Sequence, residues 1–215
     1  VYLPPKFAPS EDETAAALAR AGFAQLVTHT PSGLMVTPLP LLYDRDRHAL
    51  LGHVARPNPH WQAGGHESVA IFTGAQAYVS PNVYATKVET GKVVPTWNYE
   101  VLNAYGRLVV HDDVDWVREL VTRLTDHHEA DRATAWRVTD APETFVRGQL
   151  NAIVGLELPI ERVEAKAKMS QNQPARNRAG VVAGLAAGSP TDQAVAERVA
   201  ALDPERGSTK ANGRG

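Results

Sequence analysis

Between Phe23 and Val110 the chain reverses repeatedly over short distances, and this restricts the fold more than any other feature. Residues 23–30 and 34–43 read as strands joined by the short turn Pro31-Ser32-Gly33. Pro38 and Pro40 each remove an N–H from the ladder, so the second strand belongs at a sheet edge or a bulge. Residues 49–55 form another strand, which Arg56-Pro57-Asn58-Pro59 breaks, and His60-Trp61 begins a short helix. Residues 68–73 and 76–80 read as two strands separated by Gly74, and residues 81–94 as a loop. Residues 97–110 read as one long strand bent at Gly106. About six closely spaced antiparallel strands mean a barrel or a sandwich. The strand–helix–strand alternation of parallel sheets is missing, as are GxGxxG and GxxxxGK[ST] sequences. Dinucleotide-binding and P-loop functions are therefore unsupported.

Helices flank this region. Ser10 with Glu13 forms a capping box for an Ala-rich helix that Gly22 is expected to end. Residues 112–128 place Val114, Val117, Leu120, Val121 and Leu124 on one face at spacings of three and four. A shorter helix is expected at 142–149, a strand with alternating apolar residues at 153–166, and a helix at 174–185. The chain reads as one domain over 1–186, with 187–215 as a helical or flexible tail that is mobile after Gly207.

Charge narrows the functional classes. With 22 Lys+Arg against 24 Asp+Glu the formal net charge is -2, so a dedicated DNA-binding surface is not expected. There is no cysteine, which excludes disulfides, thiolate metal sites and thiol catalysis. No apolar run is long enough to span a membrane, and the first residues lack the pattern of a signal peptide. The expectation is a cytoplasmic protein. His60 and His66 stand six apart, and His127 and His128 are adjacent, so neither pair has the spacing of a helical zinc site; no metal is expected. A hydrolase triad lacks its GxSxG elbow.

Three stretches carry chemistry. Gly52-His53-Val54-Ala55-Arg56-Pro57-Asn58-Pro59-His60-Trp61 can present a cation and backbone N–H groups to an anion, or be a rigid loop with a core Trp. Val94-Pro95-Thr96-Trp97-Asn98-Tyr99 places aromatics opposite an amide, which suits a flat heteroaromatic ligand or a β-core pair. Lys166-Ala167-Lys168-Met169-Ser170-Gln171-Asn172 leaves a strand through two cations and three polar side chains. It can hold a phosphate or a ring carbonyl, or cap the next helix.

Together with Tyr2-Leu3-Pro4-Pro5-Lys6-Phe7 and Tyr78-Val79-Ser80-Pro81, these stretches resemble, in order, the PaiB-type family of FMN-binding negative transcriptional regulators. The resemblance covers about residues 1–185. It implies an α+β fold: a mainly antiparallel, FMN-binding split β-barrel with peripheral and C-terminal helices, similar to pyridoxamine-phosphate oxidases. It also implies a homodimer with flavin sites at the subunit interface. On this resemblance Thr37, Pro38 and Leu39 run beneath the flavin ring. His53, Arg56 and Asn58 meet the ribityl phosphate, and Trp97 and Asn98 with Lys168, Ser170, Gln171 and Asn172 close the site. Two positions depart from the family: Val83 stands where a Trp is usual, widening the pocket, and Gln173 stands where an Arg is usual, removing a cation. His53, His60 and Tyr99 are the candidates for proton chemistry. The leading expectation is an FMN-binding protein with a flavin-dependent redox step on a small molecule and an indirect regulatory role. The alternatives are a direct DNA-binding repressor, a flavin-free enzyme that uses the pocket for acid–base chemistry, and a haem-binding relative with a histidine axial ligand.

Overall fold

The computed structural model describes residues 1–203; the tail expected to be mobile after Gly207 lies outside the described residues. The first half of the chain contains α1 (Glu11–Ala19), β1 (Phe23–Thr30), β2 (Gly33–Pro40), β3 (Leu42–Asp44), β4 (Ala49–Ala55), β5 (Glu67–Val79), α2 (Thr86–Thr90) and β6 (Thr96–Arg107). The second half contains β7 (Val109–His111), α3 (Val114–Glu129), α4 (Glu143–Asn151), β8 (Ile153–Pro159), β9 (Arg162–Lys168), α5 (Ala175–Ala186) and α6 (Pro190–Ala201). Five strands form a sheet in the order β2-β1-β5-β6-β9, and four form another in the order β3-β4-β8-β7. The backbone groups into two units. A central unit comprises Ala15–Phe72 and Asn103–Val163; a terminal unit comprises Val1–Thr14, Thr73–Leu102 and the described residues from Glu164.

In the central unit, β1 and β2 form a hairpin in register from Thr30↔Gly33 to Phe23↔Pro40. Gly33 closes the turn at φ 114, a backbone region that a side chain rarely tolerates. Pro38 and Pro40 are accommodated because β2 is the edge strand of its sheet, where a missing N–H faces away from any partner. Alternation puts Ala24, Leu26 and Thr28 inside. The second sheet packs on α3, whose Leu120 and Leu124 meet Ala49 and Leu51. Val117 joins Val138, Val146 and Leu150 in a neighbouring cluster. Asp113 caps α3 by accepting the Trp116 N–H at 2.8 Å. Gly155 on β8 lets this helix approach: a Cβ there would lie 2.2 Å from Trp116 Cζ3.

In the terminal unit, Val181, Leu185, Val195 and Val199 of α5 and α6 bury Ala77, Val79, Tyr84 and Met169. Gly180 and Gly184, one turn apart on α5, receive the 3-10 turn Pro81–Val83. A Cβ on Gly180 would lie 2.0 Å from the Val83 carbonyl oxygen, and one on Gly184 2.5 Å from Val83 Cγ1. The capping box at α1 is present: Glu13 N–H donates to Ser10 Oγ at 3.2 Å and Ser10 N–H to Glu13 Oε2 at 2.8 Å.

Several expected boundaries moved, each for a tertiary reason. Gly74 does not divide β5; a Cβ there would lie 2.9 Å from Glu100 Cβ, so the glycine permits close strand approach. Gly106 stays within β6 because a Cβ would lie 1.9 Å from the Pro159 carbonyl oxygen, and the chain breaks at Leu108 instead. The strand expected over 153–166 is two strands, β8 and β9, interrupted at residues 160–161. The expected loop at 81–94 contains α2, ended by Gly91 at φ 65. Helix α1 ends at Ala19, before Gly22.

Candidate functional site

The sequence-derived candidates fall into two groups, one in each unit. In the central unit the turn after β4 builds a buried polar chain. His60 is fully buried, and both ring nitrogens have hydroxyl partners: Nε2 lies 2.8 Å from Thr28 Oγ1, and Nδ1 lies 2.8 Å from Thr37 Oγ1. Thr28 Oγ1 in turn meets Ser68 Oγ at 2.7 Å. Asn58 starts the 3-10 turn Pro59–Ala63 by accepting the His60 N–H at 3.0 Å. Its Nδ2 lies 3.4 Å from Thr37 Oγ1. Burial holds the His60 imidazole below its ordinary pKa, so it is neutral, with each nitrogen serving one hydroxyl.

Arg56 uses its donors inside the protein. Nη1 and Nη2 grip Asp112 at 3.0 and 2.6 Å, and Nε donates to the Asn151 carbonyl at 2.9 Å. Trp61 Nε1 donates back to the Arg56 carbonyl at 2.9 Å. The stretch from Arg56 to Trp61 therefore has the makeup of the rigid-loop alternative, with the guanidinium already occupied. His53 differs: its Nδ1 is buried without a hydrogen-bond partner, and burial lowers its pKa. On β2, Leu39 is buried, while Pro38 is exposed.

In the terminal unit, the strand-end segments enclose a cavity of about 390 Å³, within the size range of small-molecule sites. Asn98, Lys168, Ser170, Asn172 and Gln173, all candidates from the sequence, line it. Asn98 and Ser170, both buried, bond each other: Asn98 Nδ2 donates to Ser170 Oγ at 3.0 Å. Ser170 sits at φ 62, a left-handed conformation costing a non-glycine residue about 1–3 kcal/mol. Gln171 secures this turn by accepting the Met169 N–H at 2.7 Å and donating to the Ala167 carbonyl at 2.7 Å, which occupies its amide. The Lys168 ammonium donates to Thr96 Oγ1 and, at 2.8 Å, to the Trp97 carbonyl. Desolvation pushes its pKa down, Tyr99 opposes this, and Lys166 adds to it.

Gln171 and three other terminal-unit candidates lie outside the cavity lining. Trp97 is 53% exposed and meets Tyr78 edge-on with centroids 6.3 Å apart. The Tyr99 ring has the Lys166 ammonium at 5.3 Å. Val83 packs against α5, where it fills the space left by two glycines. Conversely, Tyr2, Lys6, Phe7, Tyr84 and Thr96 line the cavity although none was singled out from sequence. The available signal was the Tyr2–Phe7 stretch itself, which carried part of the family resemblance. Among the described residues no Asp or Glu lines the cavity, and the donor set of ammoniums, amides and hydroxyls fits the phosphate and polar edge of FMN. Among the described residues, no three His, Cys, Asp or Glu side chains group to hold a metal ion. Among those residues, too, no helix is long and apolar enough to cross a membrane.

Comparison with known proteins agrees with this chemistry. Residues 1–162 match the family model described as "Putative FMN-binding domain". An uncharacterized protein of Aspergillus fumigatus is 33% identical over 170 residues, covering 63% of this chain and 65% of the relative. The match thus spans just under two thirds of that relative's length. Protease synthase and sporulation protein PAI 2 of Bacillus subtilis is 28% identical over 156 residues, covering 70% of this chain and 72% of that protein. Among solved structures, the FAD and haem binding protein of Mycobacterium smegmatis superposes with a TM-score of 0.57 at 18% identity, covering 76% of this chain and 73% of that one. A flavocytochrome of Azotobacter vinelandii superposes with a TM-score of 0.55 at 14% identity, covering 74% and 67%. These likenesses establish the fold as the α+β split-barrel type anticipated from sequence. With the family model matched over residues 1–162, the chain belongs to this FMN-binding family, and FMN is the cofactor that membership assigns to it.

Proposed function

We propose that the terminal-unit cavity holds FMN and that the protein uses it in a redox step on a small molecule. The observation that carries this reading is the cavity lining: lysines, amides and hydroxyls with no carboxylate among the described residues, in a chain of an FMN-binding family. FMN, when bound, supplies electron or hydride transfer at its ring. The chain's own residues bind and orient. Lys168 contributes positive charge, while Asn172 and Gln173 offer amide donors. The Asn98–Ser170 pair holds the turn that presents them. In the central unit, both His60 ring nitrogens are committed to Thr28 and Thr37.

The proposal includes a homodimer. The outward face of the β1–β2 hairpin leaves Phe23, Leu34 and Val36 at 66%, 70% and 57% exposure, an apolar surface that a second copy would cover. The regulatory role included in this reading is indirect. The net charge of -2 and the acidic Asp115, Glu119 and Asp126 on α3 speak against phosphate-backbone contacts. The test is titration of the purified protein with FMN, followed by visible absorbance and flavin fluorescence. Saturable quenching at one FMN per chain supports the reading. A colourless protein that takes up no FMN after reconstitution overturns it.

A further inference from the structure

We infer that Asn177, which stands behind the wall of the terminal-unit cavity, is a positioning residue. It fixes the orientation of the Gln173 amide, so that residue 173 shows a ligand only donors and selects a group that accepts hydrogen bonds. The inference rests on the FMN reading of the cavity and adds to it a device particular to this chain. The arginine usual at position 173 in the family would donate in every orientation. A glutamine carries an acceptor and a donor in one plane, and a half-turn of the amide exchanges them. Its neighbours must choose between the two.

A short chain of hydrogen bonds makes that choice, and its direction has one solution. It begins at the backbone N–H of Thr86, the first residue of α2. That group can only donate, so the atom it meets at 3.1 Å is Asn177 Oδ1. Asn177 Nδ2 is thereby turned the other way and uses its two N–H groups on Thr86 Oγ1 and Gln173 Oε1, each at 2.9 Å. Gln173 Oε1 is the acceptor of that pair, which leaves Nε2 as the amide atom without a partner among the described residues. Gln173 lines the cavity, whereas Asn177 is outside the lining and 2% exposed. Turning the Gln173 amide round would set its NH₂ against the Asn177 NH₂ in a buried contact that satisfies neither. The backbone is held as well: Arg178 donates from Nη1 to the Gln173 carbonyl at 2.7 Å.

The test measures FMN affinity by fluorescence quenching on the full chain, alone and with Asn177→Asp, in the parent, Gln173→Leu and Gln173→Arg backgrounds. Aspartate still accepts the Thr86 N–H but has no N–H for Gln173, so the glutamine turns round and shows its oxygen to the ligand. Asn177→Asp should weaken FMN about tenfold in the parent background. The loss should vanish in the Gln173→Leu background, and Gln173→Arg should rescue it, because a guanidinium donates either way. A merely structural role gives the same loss in all three backgrounds; that result, or parental affinity in folded Asn177→Asp, overturns the inference. Where Asn177→Asp does not fold, Asn177→Ala frees the amide to take both orientations and should weaken FMN about twofold, and parental affinity overturns the inference. If the parent takes up no FMN, the FMN reading fails, and NMR of the Gln173 side-chain NH₂ in ¹⁵N-labelled protein decides the orientation without a ligand. Exchange with water that is fast in the parent and slowed in Asn177→Asp supports the inference; equal rates overturn it.

Discussion

Arg56 and Asp112 form a two-point ion pair, Nη1 to Oδ2 at 3.0 Å and Nη2 to Oδ1 at 2.6 Å, joining the end of β4 to the residues that lead into α3. The pairing raises the Arg56 pKa and lowers that of Asp112, chiefly through the shared hydrogen bonds. A guanidinium occupied in this way organises a loop. Replacing Arg56 with Ala should therefore lower the melting temperature and leave FMN affinity in the folded protein within about twofold. Arg56→Lys should restore little, since an ammonium cannot make the fork. A flavin titration beside a thermal melt checks this; selective loss of FMN binding at unchanged stability would return Arg56 to the phosphate.

The half-buried His53 and the buried His60 set an acid limit. Burial depresses the folded-state pKa of His53 and His60 below the unfolded value near 6.5. The unfolded chain therefore binds more protons below that value. Their contribution is fully present above about pH 6.5 and is lost as pH falls toward the depressed folded values. The melting temperature should decline between pH 7 and 5, and His53→Gln should flatten that decline. Parallel curves for parent and variant would contradict the expectation.

Gly155 and Trp116 should be coupled. A Cβ on residue 155 would lie 2.2 Å from the indole, so Gly155→Ala overpacks the sheet–helix contact. The cost should be about 1–3 kcal/mol. In a Trp116→Leu background the same substitution should cost less than half as much. A double-mutant cycle by urea unfolding measures the difference.

Val83→Trp should destabilise the protein rather than complete a flavin-binding surface. Val83 already lies against the Gly180 and Gly184 positions of α5, and an indole has no room there. A loss of about 1–3 kcal/mol is expected in chemical denaturation. Tighter FMN binding at unchanged stability would show instead that residue 83 faces the ligand.

The hairpin face should govern assembly. Val36→Lys places a charge in the middle of the exposed apolar strip while leaving its backbone pairing with Val27 unchanged. Light scattering should show the parent as a dimer and this variant shifted toward monomer at micromolar concentration. Monomeric parent protein would remove the proposed interface.

Most of the strands, the edge-or-bulge placement of β2 and the amphipathic face of α3 were legible because each depends on neighbours within a few residues. Period-two alternation, a proline without an N–H and the i, i+3, i+4 spacing of Val117, Leu120 and Leu124 act locally. The family motifs named Asn98, Lys168 and Ser170 as candidates, and the fold brings these three to one cavity. What Arg56 binds was not legible, because its carboxylate partner is Asp112, which only tertiary contact brings to it. The same holds for Gly74 and Gly106, read as breaks when their neighbours are Glu100 and Pro159. Local sequence states which side chains carry charge and which backbone can turn. Only the folded chain decides whether a cation already has its counter-ion, as Arg56 has in Asp112, or lines a cavity, as Lys6 does.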